Sequence, residues 1–367
     1  MIVLTLNSGS TSIKLGAYEC AGAGRATPIR SEHHSGGEIE PRRLQAFLEQ
    51  LPQPAQVCAH RVVHGGTRFT EPVRIDAGVL AEIAALSELA PLHNPKALAW
   101  IRAAQELVPS APHIAVFDTA YFSGLPRVAA EYAIPPRLGI DVGVRRYGFH
   151  GLAHEAMWRR WCELYPQLPR GGRLITVQLG GGCSLAALDE GRPLDNSMGF
   201  SPLEGLVMAT RSGDLDPAAL PYLQQRLGLS AAQVVELLNE ESGLAGVSGK
   251  SGNPTQLRSD PDPRAQFAVD LYCYRLRKYL GAFCAVLGGC DGIVFGGGVG
   301  EHSPEVRAGA LAGLNWAGIE LDAAANEAAR GLEAAIQAPH SRTRLQVLPV
   351  EEELVMVRSA VSVVSGT

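Results

Sequence analysis

The sequence predicts an α/β protein made of two related halves, and three stretches carry that expectation. Residues 1–15 (MIVLTLNSGSTSIKL) and 174–188 (LITVQLGGGCSLAAL) each read as an apolar strand, a polar or glycine turn and an alternating strand. Residues 291–300 (DGIVFGGGVG) run a strand into a third glycine block. Laid on each other, the first two put Gln178 on Asn7 and Gly180 on Gly9, with one extra residue expected in the second turn. Repetition of this kind suits a duplicated chain that holds a nucleotide in a cleft between its halves; coincidence between two glycine turns is the competing reading.

With 367 residues and 46% hydrophobic content, the chain can bury two cores, and about two domains are expected. Its net charge of -5 comes from 37 acidic against 32 basic residues without a basic block, which argues against nucleic acid or a membrane surface as partner. Small anions remain open as substrates through local arginines. Seven cysteines without C-x-x-C spacing predict reduced thiols and a cytoplasmic setting. Neither a leader-like start nor an apolar run of about 20 residues is present.

In chain order, the first turn offers Asn7, Ser10, Thr11 and Ser12 beside the backbone amide of Gly9, with Lys14 on the outgoing strand, an arrangement suited to phosphate oxygens. Its spacing is not that of a P-loop. Residues 16–56 read as strand remnants, a polar loop and a helix near Arg42–Leu51. CAHRVVHGG, residues 58–66, is a strand that leads Arg61 and His64 into a glycine turn, where Arg61 reads either as a ligand contact or as a surface ion-pair residue. Residues 79–89 are helical, and Asn94 with Pro95 reads as the capped start of a helix to Val108. The strand 113–117 delivers Asp118 at its carboxyl end, as a chemical group or as a turn cap. His150 precedes an amphipathic helix, either facing its positive end or simply buried. Ser201, Pro202 and Glu204 match a capping box that predicts a helix to about Ala209, which leaves Arg211 on the following loop free to meet an anion bidentately. A capped helix is expected over 230–241, a loop over 243–254 and a long buried helix from Asp262–Pro263 to Leu287. Glu351, Glu352 and Glu353 head the last helix, where the macrodipole alone accounts for them, although one could hold a cation.

The segments NSGSTSIK, HRVVHGG, FDTA, RRYGFHG, SMGFSPLEGLVMATRSGDLDP, GGVGEHSPEVR and EEELVMVR occur together and in order, and with them the chain resembles the acetate kinases, a family within the superfamily of acetate and sugar kinases and actin. The resemblance covers nearly the whole chain. It implies a duplicated two-domain actin-like, ribonuclease H-like fold with an interdomain cleft. One domain would comprise residues 1–122 and 353–367, binding the acyl and phosphoryl groups, and the other residues 123–352, binding nucleotide. It further implies a homodimer and magnesium-dependent phosphoryl transfer between ATP and a short carboxylate. Carried over by position, Arg61 and Arg211 hold carboxylate and phosphoryl group, Asp118 and His150 act in catalysis, and Asn7 and Glu352 serve Mg2+. Ser10, Ser12, Lys14, Gln178, Gly180, Gly181, Gly182, Gly298, Gly300 and Glu301 would contact ATP or ADP. Val63 and Leu92 would bound the acyl pocket.

Four departures from the family pattern stand out. Gln178-Leu179-Gly180-Gly181-Gly182 replaces His-Leu-Gly-Asn-Gly, and His302 replaces an asparagine. An Asp-x-Arg step is missing from GVSGKSGNPTQL, and the stretch between Lys14 and Arg61 is short. Most of these fall on the nucleotide side, so loose base selectivity is expected there, and a different phosphoryl donor or acyl group is an alternative. A catalytically silent nucleotide-binding homologue is a further alternative, disfavoured by the joint presence of Arg61, Asp118, His150 and Arg211.

Overall fold

A computed structural model describes residues 1–9, 12–21, 26–36 and 40–366. The chain divides into two compact units: Met1–Ser123 with His150–Ala156 and Glu351–Thr367, and Gly124–Phe149 with Met157–Val350. Each contains one six-stranded sheet.

In the first unit the strands are β1 (Ile2–Ser8), β2 (Ser12–Cys20), β3 (Ala26–Ser35), β4 (Val57–Val62), β5 (Val73–Arg74) and β6 (His113–Phe117), in spatial order β3-β2-β1-β4-β6-β5. β1 pairs antiparallel with β2 and parallel with β4, which pairs parallel with β6. In the second unit β7 (Arg173–Leu179), β8 (Cys183–Asp189), β9 (Arg192–Asn196), β10 (Gly292–Gly296), β11 (Ala334–Ala335) and β12 (Arg344–Val347) follow the order β11-β12-β10-β7-β8-β9. Read from its other end, the second sheet matches the first strand for strand, with the same parallel and antiparallel pairings. The duplication expected from two short segments thus extends over whole sheets.

Strand alternation assigns each side of the first sheet its cover. Leu4, Leu6 and Leu15 face Leu44 and Phe47 of the helix Pro41–Glu49 and Trp100 and Ala104 of the helix Asn94–Leu107. Val3, Tyr18, Val57, Ala59, Ile114 and Val116 face Leu152, at the start of the helix Gly151–Leu164, and Val355, Met356, Val357 and Ala360 of the helix Glu352–Ser365. In the second unit the 25-residue helix Pro263–Leu287 starts where the sequence places it, with the Asp262 side chain accepting from Arg264 N–H. No helix among the described residues is long and apolar enough to cross a membrane.

Five local expectations are corrected. Ser8 pairs with Ile13 and Leu179 with Cys183, so the second turn is one residue shorter than the first, not longer. β3 occupies ten residues of a stretch read as remnants; it is an exposed edge strand that carries Pro28, and so lacks a buried face for the pattern to register. Asn94 does not cap its helix: its side chain is fully buried and bridges the backbone N–H and C=O of His64. No helix forms over 201–209, because Glu204 turns instead to Arg146 Nη2, at 2.7 Å, and to the Tyr132 hydroxyl. The expected loop 243–254 contains the short helix Gly243–Ser248 and leads into another, Pro254–Ser259.

Candidate functional site

Period-2 alternation explains which polar side chains meet in the first unit. Asn7 lies on the same face of β1 as Val3, Lys14 on that of Tyr18 in β2, and Arg61 on that of Ala59 in β4. Asp118, directly after β6, continues the side of Ile114 and Val116. That face is the one covered by the helix Glu352–Ser365, so the four side chains converge on its first turn. Arg61 Nη2 donates to Asp118 Oδ2 at 2.6 Å, and Nε reaches both carboxylate oxygens at 3.2 and 3.1 Å. Arg61 Nη1 donates to Asn7 Oδ1 at 3.1 Å. Asn7 Nδ2 in turn donates to Glu352 Oε2 at 2.7 Å and Glu353 Oε1 at 2.9 Å, and Lys14 Nζ pairs with Glu353 Oε2 at 2.6 Å.

This network is largely dry, with Asp118 at 1% and Glu353 at 2% exposure. Burial works against the Arg61 charge, but Asp118 and Glu352 outweigh it and hold the guanidinium firmly protonated. Burial raises the Glu352 carboxyl above its ordinary range, against the pull of Arg61 and with Asp118 adding to the rise. Three carboxylates therefore face two cations, and the uncompensated one is Glu352. Asn7, Asp118 and Glu352 are hard oxygen donors, the type a divalent cation such as Mg2+ takes.

His150 has φ at 58°, an uncommon conformation for a residue with a side chain. The close approach of its neighbour explains why Gly151 follows: a Cβ there would lie 2.0 Å from the Asp118 carbonyl oxygen. Val63 is buried at 5%, whereas Leu92 is 49% exposed. Ser12 is half-buried and its carbonyl accepts from Gly9 N–H at 2.8 Å; Ser10 and Thr11 lie outside the described residues.

In the second unit, Gly180 N–H donates to Gly182 O at 3.0 Å across the β7–β8 turn, and Ala209 N–H donates to Gly181 O at 3.1 Å, which ties the Arg211 loop to that turn. The loop is also fixed by Asp214, which accepts from Gly205 N–H and from the Tyr279 hydroxyl, both at 2.8 Å. Arg211 itself makes no ion pair among the described residues; it donates to Pro202 O at 3.3 Å, and burial lowers its guanidinium pKa. Glu240 offsets part of that burial without touching the guanidinium, which leaves a largely desolvated cation with no contacting carboxylate on a braced loop. Gln178, at the position that Asn7 holds in the first sheet, has a buried Oε1 with no hydrogen-bond partner. Its amide abuts Gly297, where a Cβ would sit 2.8 Å from Nε2. Gly298, Gly300 and Glu301 lie on the short helix Gly297–His302, with Glu301 Oε1 accepting from Val350 N–H at 3.2 Å.

Glu353 was missed by the sequence reading, since three acids at a helix start need no partner beyond the dipole. Arg307 was missed as well. It is fully buried, and its guanidinium donates to the carbonyls of Gly300, Glu301, Asn326 and Ala329 and to the Asn326 side chain. The run GGVGEHSPEVR holds it, but nothing in the spacing says that it points inward.

Two matching sheets, glycine turns at corresponding strand ends and arginines held away from water define a phosphotransferase of the duplicated actin-like α/β class. Residues 41–358 match the acetokinase family, and the chain belongs to it. It is 43% identical to acetate kinase of Heliobacterium modesticaldum over an alignment 399 positions long, with both chains covered completely. Among solved structures it resembles Porphyromonas gingivalis acetate kinase, with a TM-score of 0.86 and 34% identity over 99% of each chain. A propionate kinase from Francisella tularensis is similar, with a TM-score of 0.87 and 31% identity over 98% of this chain and 99% of that one. The enzyme is thus a phosphotransferase whose acceptor is a carboxyl group.

Proposed function

We propose that the chain catalyses reversible transfer of the γ-phosphoryl group of ATP to acetate, giving acetyl phosphate and ADP, with Mg2+ as cofactor. The observation that carries this reading is the buried Arg61–Asp118 pair linked through Asn7 to Glu352. Phosphoryl transfer asks little of a protein beyond positioning and neutralisation of charge, and a guanidinium fixed by one carboxylate beside a second, uncompensated one supplies both. Asp118 holds Arg61 in place, Arg61 and Arg211 bind the carboxylate and phosphoryl oxygens, and His150 steadies charge in the transition state.

The donors present fit magnesium. Glu352 is a carboxylate without a contacting cation, with the Asp118 carboxylate as a charged neighbour and the Asn7 side chain against it, whose Oδ1 now accepts from Arg61. Among the described residues no group of three or more His, Cys, Asp or Glu is placed to hold a metal ion by itself, and Mg2+ commonly takes one or two carboxylates together with substrate phosphates. Asn7 and Glu352 would hold it, and when bound it neutralises phosphate charge. Ser10, Ser12, Lys14, Gln178, Gly180, Gly181, Gly182, Gly298, Gly300 and Glu301 serve ATP or ADP. Val63 and Leu92 bound the acyl group; the first unit, which extends the expected residues 1–122 and 353–367 by Ser123, His150–Ala156, Glu351 and Glu352, serves the acyl and phosphoryl groups, and the second unit serves the nucleotide. The family resemblance further supports a homodimer in the cytoplasm.

A hydroxamate assay with acetate, ATP and Mg2+ tests the reading, and absence of turnover with every short carboxylate would overturn it. The propionate kinase likeness favours propionate as a second acceptor. Discrimination along the series from acetate to hexanoate should be graded, since each methylene misfit is worth about 1–3 kcal/mol. A flat series would remove Val63 and Leu92 as pocket walls.

A further inference from the structure

The helix Pro263–Leu287 ends in a complete Schellman cap. Gly288 is left-handed at φ 65°, its N–H donates to Ala285 O at 3.1 Å, and Gly289 N–H donates to Cys284 O at 2.9 Å. These two bonds fold the chain back over the last helical turn. The residue that follows, Cys290, therefore returns beside Cys284. The Cys284 and Cys290 side chains interact there, and Cys290 Sγ donates to Gly292 O at 3.0 Å. Both are partly exposed, whereas Cys20, Cys58, Cys183 and Cys273 are buried. Phosphoryl transfer makes no use of either.

We propose that Cys284 and Cys290 are a dithiol couple that closes reversibly into an intrachain disulfide by exchange with a low-molecular-weight disulfide such as oxidised glutathione. The Cys284 thiolate attacks one sulfur of the small disulfide, whose S–S bond breaks. The departing thiolate takes the proton of Cys290. The Cys290 thiolate then attacks the Cys284 sulfur of the mixed disulfide and expels the second small thiolate, which recovers the proton that Cys284 gave to solvent. Two protein thiols are oxidised and one small disulfide is reduced to two thiols. Cys284 is the attacking sulfur because the Cys290 S–H is committed to Gly292 O, which leaves the neighbouring Cys284 thiol to give up its proton first. Closure ties the end of the long helix to the foot of β10, which starts at Gly292.

Trypsin releases both cysteines on one peptide, residues 279–307, since no Lys or Arg lies between Lys278 and Arg307. The full chain is incubated with oxidised glutathione, alkylated with N-ethylmaleimide and mapped by mass. The expected peptide carries no alkyl group and is lighter by two hydrogens, and dithiothreitol before alkylation restores two alkyl groups. Cys290→Ser should stall at glutathione on Cys284, and retained phosphoryl transfer shows that this variant is folded. A parent peptide alkylated at both cysteines after oxidation overturns the proposal. So does glutathione that persists on either cysteine of the parent, or a cross-link from either to a third cysteine.

Discussion

Arg61 and Arg211 are both arginines screened from water, yet their surroundings differ in a way that separates binding from stability. Arg61→Ala strands Asp118 at 1% exposure without its cation, and breaking such a pair costs about 3–5 kcal/mol of stability. Arg211→Ala removes a desolvated charge that has no carboxylate partner, so its melting temperature should hold or rise. Both variants should lose more than about 100-fold in kcat/KM; a loss under about tenfold, roughly 1.4 kcal/mol, would remove the residue from the chemistry. Glu352 makes the opposite case. Its carboxyl is raised by burial, so the folded chain binds that proton more tightly than the unfolded one, and stability is lost as pH rises from about 4.3 through the raised value. Without divalent cation, Glu352→Gln should therefore melt higher than the parent at pH 7, with the gain vanishing below about pH 4. Calorimetry across that range checks it, and a lower melting temperature at pH 7 would show that Glu352 is already compensated. Added Mg2+ should raise the melting temperature of the parent more than that of the variant.

At the scale of elements, the helix Gly151–Leu164 can begin where it does only because its first residue has no side chain. Gly151→Ala places a carbon in contact with the Asp118 carbonyl and must displace either the helix start or the turn after β6. Activity should fall with melting temperature, whereas Gly281→Ala on the helix Pro263–Leu287, where a Cβ meets nothing within 4 Å, should leave activity unchanged. If Gly151→Ala had full activity, the approach of helix and turn would be irrelevant to catalysis. The same elements show how far the sequence could be read. Both hairpins announced themselves by alternation and turn residues, and the cap of the long helix by Asp262–Pro263. Ser201-Pro202-x-Glu204 carried an equally good local signal and failed, since an ion pair to Arg146 outweighs what a capping box contributes. Asn7, Arg61, Asp118 and Glu352 were each legible as strand-end or helix-end polar residues. Their convergence was not, because it depends on which sheet face the helix Glu352–Ser365 covers, and strand order sets that.

For the molecule as a whole, the buried imidazoles are unevenly shared. Burial lowers the pKa of His60 and His113, of His64 to about 4 and of His154 to about 3, and all four belong to the first unit. A histidine kept neutral by the fold takes up its proton more readily once unfolded. Stability therefore falls as pH drops below about 6.5, at up to about 1.4 kcal/mol per pH unit for each imidazole until its folded value is reached. Hydrogen exchange at pH 5 against pH 7, corrected for intrinsic rates, should show the amides of β1, β4 and β6 losing protection before those of β7 and β10. Equal loss in both sheets would refute this. The first unit also depends on residues remote in sequence: Val355, Met356, Val357 and Ala360 complete one side of its core, and the 350 residues before Glu351 include the whole of the second unit. On the ribosome, β1 to β6 emerge early and wait with one apolar face uncovered while the second unit is translated and can close on its own. The N-terminal sheet is thus made first and finished last, and for that interval nascent-chain chaperones have a reason to hold it.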